Sequence, residues 1–351
     1  MIILALTLIL VLVMVLPFSF HAVERNIEIF LFFMGVAAAV AAGVLNRHLL
    51  LEALQHPIPI TGAVLVMGFV FKWTRRYIAA GVSWLLKHIS THAFVFALIL
   101  VLGLLSSVIT VIIASLVLVE VISLLKLQRK AEVRIVILAC FALGLGAALT
   151  PIGEPLATLA VAKLAGEPYH ANFWFLLKLL GWWIIPGVFG FALLSLLFRE
   201  PAPGPGEGSL DESPEESRQD ESTRDVFVRA IKVFLFVMAL VFLGEGFKPL
   251  VDEYILKIPA LALYWVNVLS AVLDNATLTA AEVSPKMAPG QIRDILLGLL
   301  IAGGLLIPGN IPNIIAASKL KIGSKEWALF ALPVGLCAMV AYFILLIALP
   351  H

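Results

Sequence analysis

The stretch Leu269–Thr279, with the sequence LSAVLDNATLT, places Asp274 and Asn275 in the middle of an apolar segment. An ionisable group at bilayer depth is energetically expensive, and it usually marks a functional site with a nearby partner. We therefore predict that Asp274 binds a small ion or a proton and that Asn275 and Thr277 belong to the same site. The alternative is structural: a protonated, hydrogen-bonded Asp274 that only holds this segment together.

The composition is that of a polytopic membrane protein. Of the 351 residues, 62% are hydrophobic and 13% are charged, whereas soluble domains carry about 25% charged residues. The mean hydropathy is +1.06. Residues 200–225 hold nine of the 23 acidic residues and two basic ones, which leaves about +8 on the remaining chain. Cationic cytoplasmic loops account for that excess, so we expect no nucleic-acid partner.

Three early apolar runs, at 2–20, 28–45 and 58–72, predict transmembrane helices, because about 20 apolar residues span a bilayer. The first two runs give a pair of N-terminal helices over residues 1–57. The first run lacks a basic start and a small-residue cleavage site, so we interpret it as a retained helix rather than a signal peptide. Residues 76–90, which carry tryptophan and basic residues, predict a separate helix in the membrane interface.

Residues 58–199 are predicted to form a first repeat with a re-entrant hairpin and a broken helix. The segment 92–125 is too long for one span and has basic flanks on both sides. We therefore expect it to enter and leave on the same side, with its tip at Leu105–Thr110. The next helix, over 135–164, is predicted to break at Thr150–Pro155, because two prolines and a glycine cannot continue a helix unaided.

The second half follows an acidic segment, residues 200–225, which has no apolar content to bury and predicts a disordered cytoplasmic linker. Residues 226–351 then give a second repeat, with a hairpin over 258–284 and a broken helix over 295–320. That helix is interrupted at Ile307–Pro312. Lysines near the end of the broken helix place the start of the last span in the cytoplasm, so the two repeats are predicted to be inverted.

Two segments recur in the same order in both halves. Leu105–Thr110 matches Leu269–Asp274 at an offset of 164 residues, and Thr150–Leu164 matches Leu306–Leu320 at an offset of 156 residues. Inverted repeats with interrupted helices are typical of secondary transporters, whose binding site lies near the midplane where the interruptions meet. The predicted fold is therefore an all-α polytopic membrane protein made of two inverted repeats.

The candidate binding residues lie at the predicted tips and interruptions. Glu154 has two interpretations, as a ligand for a cation or as a cap for the helix that resumes after it. Glu120 and Glu282, in the returning arms of the hairpins, are interpreted as structural. Asp274 and Glu154 are the expected sodium ligands, and the other candidates are Asn275, Thr277, Gly153, Thr150, Gly309, Asn310, Asn313, Ser106, Ser107 and Thr110.

The stretch Leu269–Thr279 resembles the hairpin-tip motif of the ion transporter superfamily, and Pro151–Pro155 and Gly309–Asn313 resemble its broken-helix motifs. Within that superfamily the pattern is similar to NhaD-type sodium/proton antiporters and to a related, uncharacterised branch of cation transporters. The resemblance covers residues 92–349. It departs at the first tip, which has no Asn or Asp, and at Glu154, where a small polar residue is common. The resemblance implies a homodimer.

The expected function is cation/proton antiport, with sodium as the cation, by alternating access. Two carboxylates with no Arg or Lys beside either interruption favour a cation over an anion. Two alternatives stay open: sodium-coupled symport of a small anion such as a carboxylate, since helix N-termini bind anions, and a non-transporting membrane subunit or channel.

The sequence gives no reason to expect an enzyme. It contains no nucleophile elbow, phosphate-binding loop or cysteine and histidine cluster. We expect no cofactor beyond the transported sodium and protons. The expected location is the plasma (inner) membrane, with the lipid bilayer as partner, the N-terminus outside and the linker 200–225 in the cytoplasm.

Overall fold

The computed structural model describes residues 2–20, 23, 26–55, 57–125, 127–198, 223–250, 253, 258–273 and 275–349. Within these ranges the regular structure is helical and there is no strand. Residues 200–222 of the predicted linker and Asp274 lie outside the described residues, whereas residues 223–225, which were predicted to be disordered, are helical.

The helices of the first half are α1 (Ile2–Ser19), α2 (Ile27–Ala41), α3 (Arg47–Gln55), α4 (Pro57–His88), α5 (Thr91–Ile109), α6 (Val111–Leu124), α7 (Arg129–Ala147), α8 (Pro155–Lys163) and α9 (Phe175–Ser195). Those of the second half are α10 (Thr223–Leu250), α11 (Ala260–Val266), α12 (Asn275–Glu282), α13 (Pro289–Ala302), α14 (Ile311–Leu320) and α15 (Ser324–Ala348). Two 3₁₀ segments, Asn267–Ala271 and Ile307–Gly309, follow α11 and precede α14.

Four helices in the described part of the chain are long and apolar enough to cross a bilayer: α5, α9, α10 from Val226 onward, and α15. Large apolar side chains cover the outer surface of this bundle, among them Trp182 on α9 and Leu329 on α15, which are 89% and 71% exposed. Lipid is the environment in which such a surface is stable. The prediction of an all-helical protein suited to a membrane is confirmed.

Two helices, α7 and α13, lie at the centre of the fold. Every residue from 135 to 150 and from 292 to 310 is buried. A helix that is apolar on all sides is buried on all sides. Both helices end inside the protein, where Ala148–Glu154 leads from α7 to α8 and Gly303–Asn310 leads from α13 to α14. We call these two segments the first and second interruptions; each overlaps the position predicted from proline and glycine.

The paired helices beside the central helices contact both halves of the chain. Thr110 alone separates α5 from α6, which pack against each other. Helix α5 packs against α7, and α11 with the segment Asn267–Ala271 packs against α13. The returning arms pack across the halves: α6 contacts α14, and α12 contacts α8.

The separate interfacial helix predicted for residues 76–90 is wrong, because α4 continues without interruption from Pro57 to His88. The basic residues that follow Phe71 suggested a membrane boundary. Charged side chains do not interrupt backbone hydrogen bonding, however, and no proline occurs between residues 60 and 88. A change of direction needs a break in the helix, and this segment contains none.

Arg129, at the start of α7, ties this central helix to the end of α14. Its Nη1 donates to Leu320 O at 2.8 Å and its Nη2 donates to Lys321 O at 2.9 Å. The same guanidinium group pairs with the Glu326 carboxylate at 2.8 Å. Because the last carbonyls of a helix have no partner within the helix, the arginine stabilises the end of α14.

We expect Arg129→Ala to lower the free energy of unfolding by about 1 kcal/mol, because two carbonyls and the carboxylates of Glu132 and Glu326 lose a donor that is largely exposed. Thermal unfolding of the purified protein in detergent measures this change. Lys130→Ala is the matched control, since this exposed neighbour has the same charge. Equal unfolding temperatures for the two variants would contradict the proposed tie.

Candidate functional site

The first interruption is held to the end of α5 by one hydroxyl group from each side and by a backbone hydrogen bond. Ser106 Oγ contacts Gly103 O at 2.6 Å and donates across to Leu143 O at 3.0 Å. Thr150 Oγ1 donates to Ser107 O at 2.5 Å. The backbone N–H of Val111 donates to Gly153 O at 2.9 Å. Four predicted site residues, Ser106, Ser107, Thr150 and Gly153, therefore lie together.

The second interruption is held in a related way by the segment Asn267–Ala271 and by α12. Ser270 Oγ donates to Asn275 Oδ1 and lies 3.4 Å from Leu299 O. Asn313 Nδ2 donates to both Gly303 O and Leu306 O at 2.8 Å. The side chain of Asn275 lies against Gly303, where an added Cβ would be 2.6 Å from its Nδ2. Asn275 and Asn313 thus meet at the second interruption.

Equivalent contacts recur at the two sequence offsets. Ser106 and Ser270 differ by 164 positions, and their acceptors Leu143 and Leu299 differ by 156.

In both interruptions a glycine lies against a backbone carbonyl oxygen. A Cβ on Gly153 would overlap the carbonyl oxygen of Ala147, and a Cβ on Gly309 would meet the carbonyl oxygen of Gly303, in each case six residues earlier. Glycine is needed at both positions for this close approach.

Glu154 and Asn310 occupy matching positions as the N-cap residues of α8 and α14. Their backbones are alike, with φ −154° and ψ 160° at Glu154 and φ −154° and ψ 151° at Asn310. Asn310 caps α14, because its Oδ1 accepts from Ile311 N at 2.8 Å. The side chain of Glu154 is buried but forms no capping hydrogen bond. Glu154 therefore occupies the N-cap position of α8 without capping the helix by a side-chain hydrogen bond.

Asn310 also reaches the first half of the chain. A Cβ on Gly144 of α7 would lie 2.7 Å from Asn310 Nδ2, so only a glycine leaves room for this amide. Helix α12, which begins at Asn275, packs against α8, which begins after Glu154. The two interruptions are thus linked through α7 and through the returning arms.

Thr110 separates α5 from α6 with φ 72° and ψ 147°. Its Oγ1 accepts from Ile113 N at 3.5 Å, so it caps α6. A positive φ is rare for a β-branched residue and signals strain that the surrounding structure must hold. Thr110 is the position that matches Asp274 in the second half. Of the other predicted residues, Asp274 and the side chain of Thr277 lie outside what the structure describes.

Two polar atoms at the second interruption lack hydrogen-bond partners among the described residues: Asn275 Nδ2 and Asn313 Oδ1. Asn275 is 4% exposed and Asn313 is fully buried. Buried polar atoms are nearly always bonded to protein, water or ligand. A buried donor and a buried acceptor at a helix interruption are therefore suited to contact a small polar species.

Sequence reasoning missed two buried carboxylates as site candidates. Glu120 Oε2 lies 3.6 Å from Lys319 Nζ, which joins α6 to α14. Glu282, at the end of α12, is 1% exposed and faces the Asn267 side chain. From the sequence, both residues are interpreted as structural. Two features of the sequence could have indicated them: each returning arm contains an acidic residue, and a lysine recurs in both halves as Lys163 and Lys319.

The profile of the family described as "protein of unknown function (DUF1646)" matches residues 3–349. The chain belongs to the DUF1646 family. The match includes both interruptions and both pairs of packed arms of this DUF1646 protein, so the whole described architecture lies within the family region. No curated protein matches the chain.

We expect Gly153→Ala and Gly309→Ala each to lower the free energy of unfolding by about 1–3 kcal/mol, because a new methyl group overlaps a backbone carbonyl. Gly190→Ala on α9 is the control, since a Cβ there meets no atom within 4 Å. Thermal unfolding in detergent compares the three variants. Wild-type stability of Gly153→Ala and Gly309→Ala would contradict the close approach at both interruptions.

Proposed function

We propose that this DUF1646 protein is a secondary transporter that exchanges sodium for protons by alternating access. The observation that carries the proposal is the second interruption, where Asn275 Nδ2 and Asn313 Oδ1 are buried beside the start of α14 and have no hydrogen-bond partner among the described residues. Unwound backbone at such depth is tolerated in membrane proteins where it is buried in protein or lines a cavity. Interrupted helices of this kind bind substrate and coupling ions in secondary transporters.

The proposal includes two inverted repeats, each with a re-entrant hairpin and a broken helix. It is supported by the reciprocal packing of α6 on α14 and of α12 on α8. It is further supported by the recurrence of the serine-to-carbonyl contact, first at Ser106 and then at Ser270. In an inverted arrangement the residues 200–225 are cytoplasmic, the N-terminus is outside, and the protein resides in the inner membrane.

In the proposed mechanism, Asp274 and Glu154 bind either the cation or protons. Sodium requires ionised carboxylates, and protonation removes that charge, so competition for the same groups couples the two fluxes. Asn275, Asn313 and the carbonyl groups of the interruptions supply neutral polar contacts, as does Asn310 at the start of α14. The N-terminal end of a helix carries a partial positive charge that disfavours a cation. The negative charge of the carboxylates must therefore outweigh this repulsion.

A second candidate function is sodium-coupled symport of a small carboxylate. The observation that favours it is Asn275 Nδ2, a buried donor with no partner in the described part of the chain, from which an anion would accept a hydrogen bond. The N-termini of α8 and α14 add further donors. Against it, neither interruption contains Arg or Lys. The same transport assay distinguishes the two functions.

We expect proteoliposomes with an internal pH dye to show a pH change on addition of sodium, because antiport moves protons against the cation. The change is expected to disappear in Asp274→Asn. In Glu154→Gln its rate is expected to fall by about an order of magnitude, which is the effect of losing one buried charged contact. Lithium and potassium pulses define the cation selectivity. Glu167→Gln, in an exposed loop, is the matched control.

The wild-type result separates the candidate functions. A silent wild type that takes up labelled carboxylates with sodium would replace antiport by symport. Silence in both assays would reject transport as the function.

We also expect the sodium concentration for half-maximal transport to rise as the pH falls. With one proton competing for one carboxylate site, the rise approaches about tenfold per pH unit once the site is mostly protonated. Initial rates at several sodium concentrations and pH values measure this dependence. An apparent sodium affinity that does not change with pH would exclude a shared carboxylate site.

A further inference from the structure

The last part of α4 exposes a stripe of aromatic and basic side chains. Its exposed positions recur every three or four residues, so they lie on one side of the helix. The large or charged side chains among them are Lys72, Trp73, Arg76, Tyr77, Trp84 and Lys87. We call these six residues the α4 stripe. Its three aromatic side chains are 74%, 78% and 61% exposed, in chain order, so the protein covers little of them.

The exposed side of α4 changes in character along the helix. Before the stripe it is aliphatic, with Val66 61% and Val70 36% exposed. Aliphatic side chains are stable against lipid hydrocarbon, whereas Trp and Tyr are enriched at the level of the headgroups and Lys and Arg extend toward the same interface. With 32 residues, α4 is about 48 Å long, which exceeds a hydrocarbon core of about 30 Å. The stripe is therefore suited to the headgroup region of the membrane.

The other side of this part of α4 packs on the protein. Leu85 packs against the cluster of Phe94 and Val121, where α5 begins and α6 ends. Lys72 Nζ donates to Thr223 Oγ1 at 2.6 Å, on the first residue of α10. The stripe therefore begins at the level at which α10 begins, at one end of the helix bundle.

The basic residues of the stripe are not neutralised within the part of the chain that the structure describes. Residues 53–119 contain no Asp or Glu. Among the described residues, Arg76 and Lys87 form no ion pair, and Lys72 contacts a neutral hydroxyl group. Arg129, at the start of α7, differs because it is paired with two carboxylates. Three positive charges beside three exposed aromatic rings thus fit a partner that is anionic and partly apolar.

We propose that the α4 stripe binds the headgroups of anionic phospholipids at the membrane surface where α10 begins. Lys72, Arg76 and Lys87 contact the lipid phosphate groups, and the aromatic rings lie between the headgroups and the acyl chains. A lipid of this class matches both the positive charges and the aromatic rings. A zwitterionic lipid has the same apolar part but no net charge, so it is expected to bind more weakly.

Two other occupants match the stripe less well. Residues 200–222 are acidic, but Leu210 is their only large aliphatic residue, so they offer the aromatic rings little to contact. A second copy of the chain has the opposite problem. In a two-fold dimer the same face meets itself, which would place the basic residues of two stripes against each other. Anionic lipid satisfies the charges and the rings together.

The test is binding of phosphatidylglycerol and phosphatidylcholine to the purified protein in detergent, measured by native mass spectrometry. In the double variant Arg76→Gln with Lys87→Gln, the affinity for phosphatidylglycerol is expected to fall by about 30-fold, since each basic residue near an anionic lipid surface accounts for roughly fivefold. Binding of phosphatidylcholine is expected to stay the same. The matched control is Lys130→Gln with Lys286→Gln, which removes two exposed positive charges elsewhere. Unchanged affinity in the stripe variant, or an equal loss in the control, would overturn the proposal.

A second measurement uses the aromatic rings. Phospholipids with brominated acyl chains quench nearby tryptophan fluorescence, and we expect brominated phosphatidylglycerol to quench the wild type more than brominated phosphatidylcholine does. This excess is expected to disappear in Trp73→Phe with Trp84→Phe. It is expected to persist in Trp182→Phe, which alters a ring on α9 that is 89% exposed. An excess that survives the loss of both stripe tryptophans would contradict the site.

The other occupants predict different results. Binding of phosphatidylglycerol that appears only after Glu212→Gln, Glu215→Gln and Glu216→Gln are combined would identify the acidic segment as the occupant. Dimers that dissociate in the stripe variant would identify a second copy of the chain. Either result would overturn the lipid site.

Discussion

Two helix ends buried at the centre of the protein impose the main constraint on this structure. Helices α7 and α13 stop inside the fold, so the carbonyl groups of their last turns cannot reach water. Buried backbone groups need partners, and those partners come from elsewhere in the chain. Ser106 and Ser270 meet carbonyls of the last turns, and Asn313 serves two more beyond the end of α13. The hairpin-like arms are held to the interruptions by these contacts.

This constraint explains why the polar residues of the interior have unequal roles. The hydroxyl groups of Ser106 and Thr150 are fully engaged with backbone carbonyls, and their first effect is structural. Asn275 and Asn313 each use one atom of the amide for the fold and leave the other without a partner among the described residues. The same side chains can therefore hold the interruption in place and contact a ligand, which is economical in a membrane interior where each polar atom is costly.

The two halves share this framework but differ in their charges. The first interruption contains Glu154 where the second contains Asn310, and only the asparagine caps its helix. In the returning arms, Glu120 is paired with a lysine of the opposite half, whereas Glu282 faces an amide. Equivalent backbone contacts thus support chemically different environments.

The sequence by itself determined that the protein is helical and suited to a membrane, because apolar content and the spacing of proline and glycine act locally. That local chemistry also places an interruption after α7 and another after α13, although α13 ends at Ala302, five residues before the predicted break. The structure decided the rest. The continuity of α4, the tie from Arg129 to α14 and the meeting of Glu120 with Lys319 depend on how helices pack after large separations in sequence. Hydrophobic pattern fixes which segments are buried, but it does not specify which buried side chains face each other.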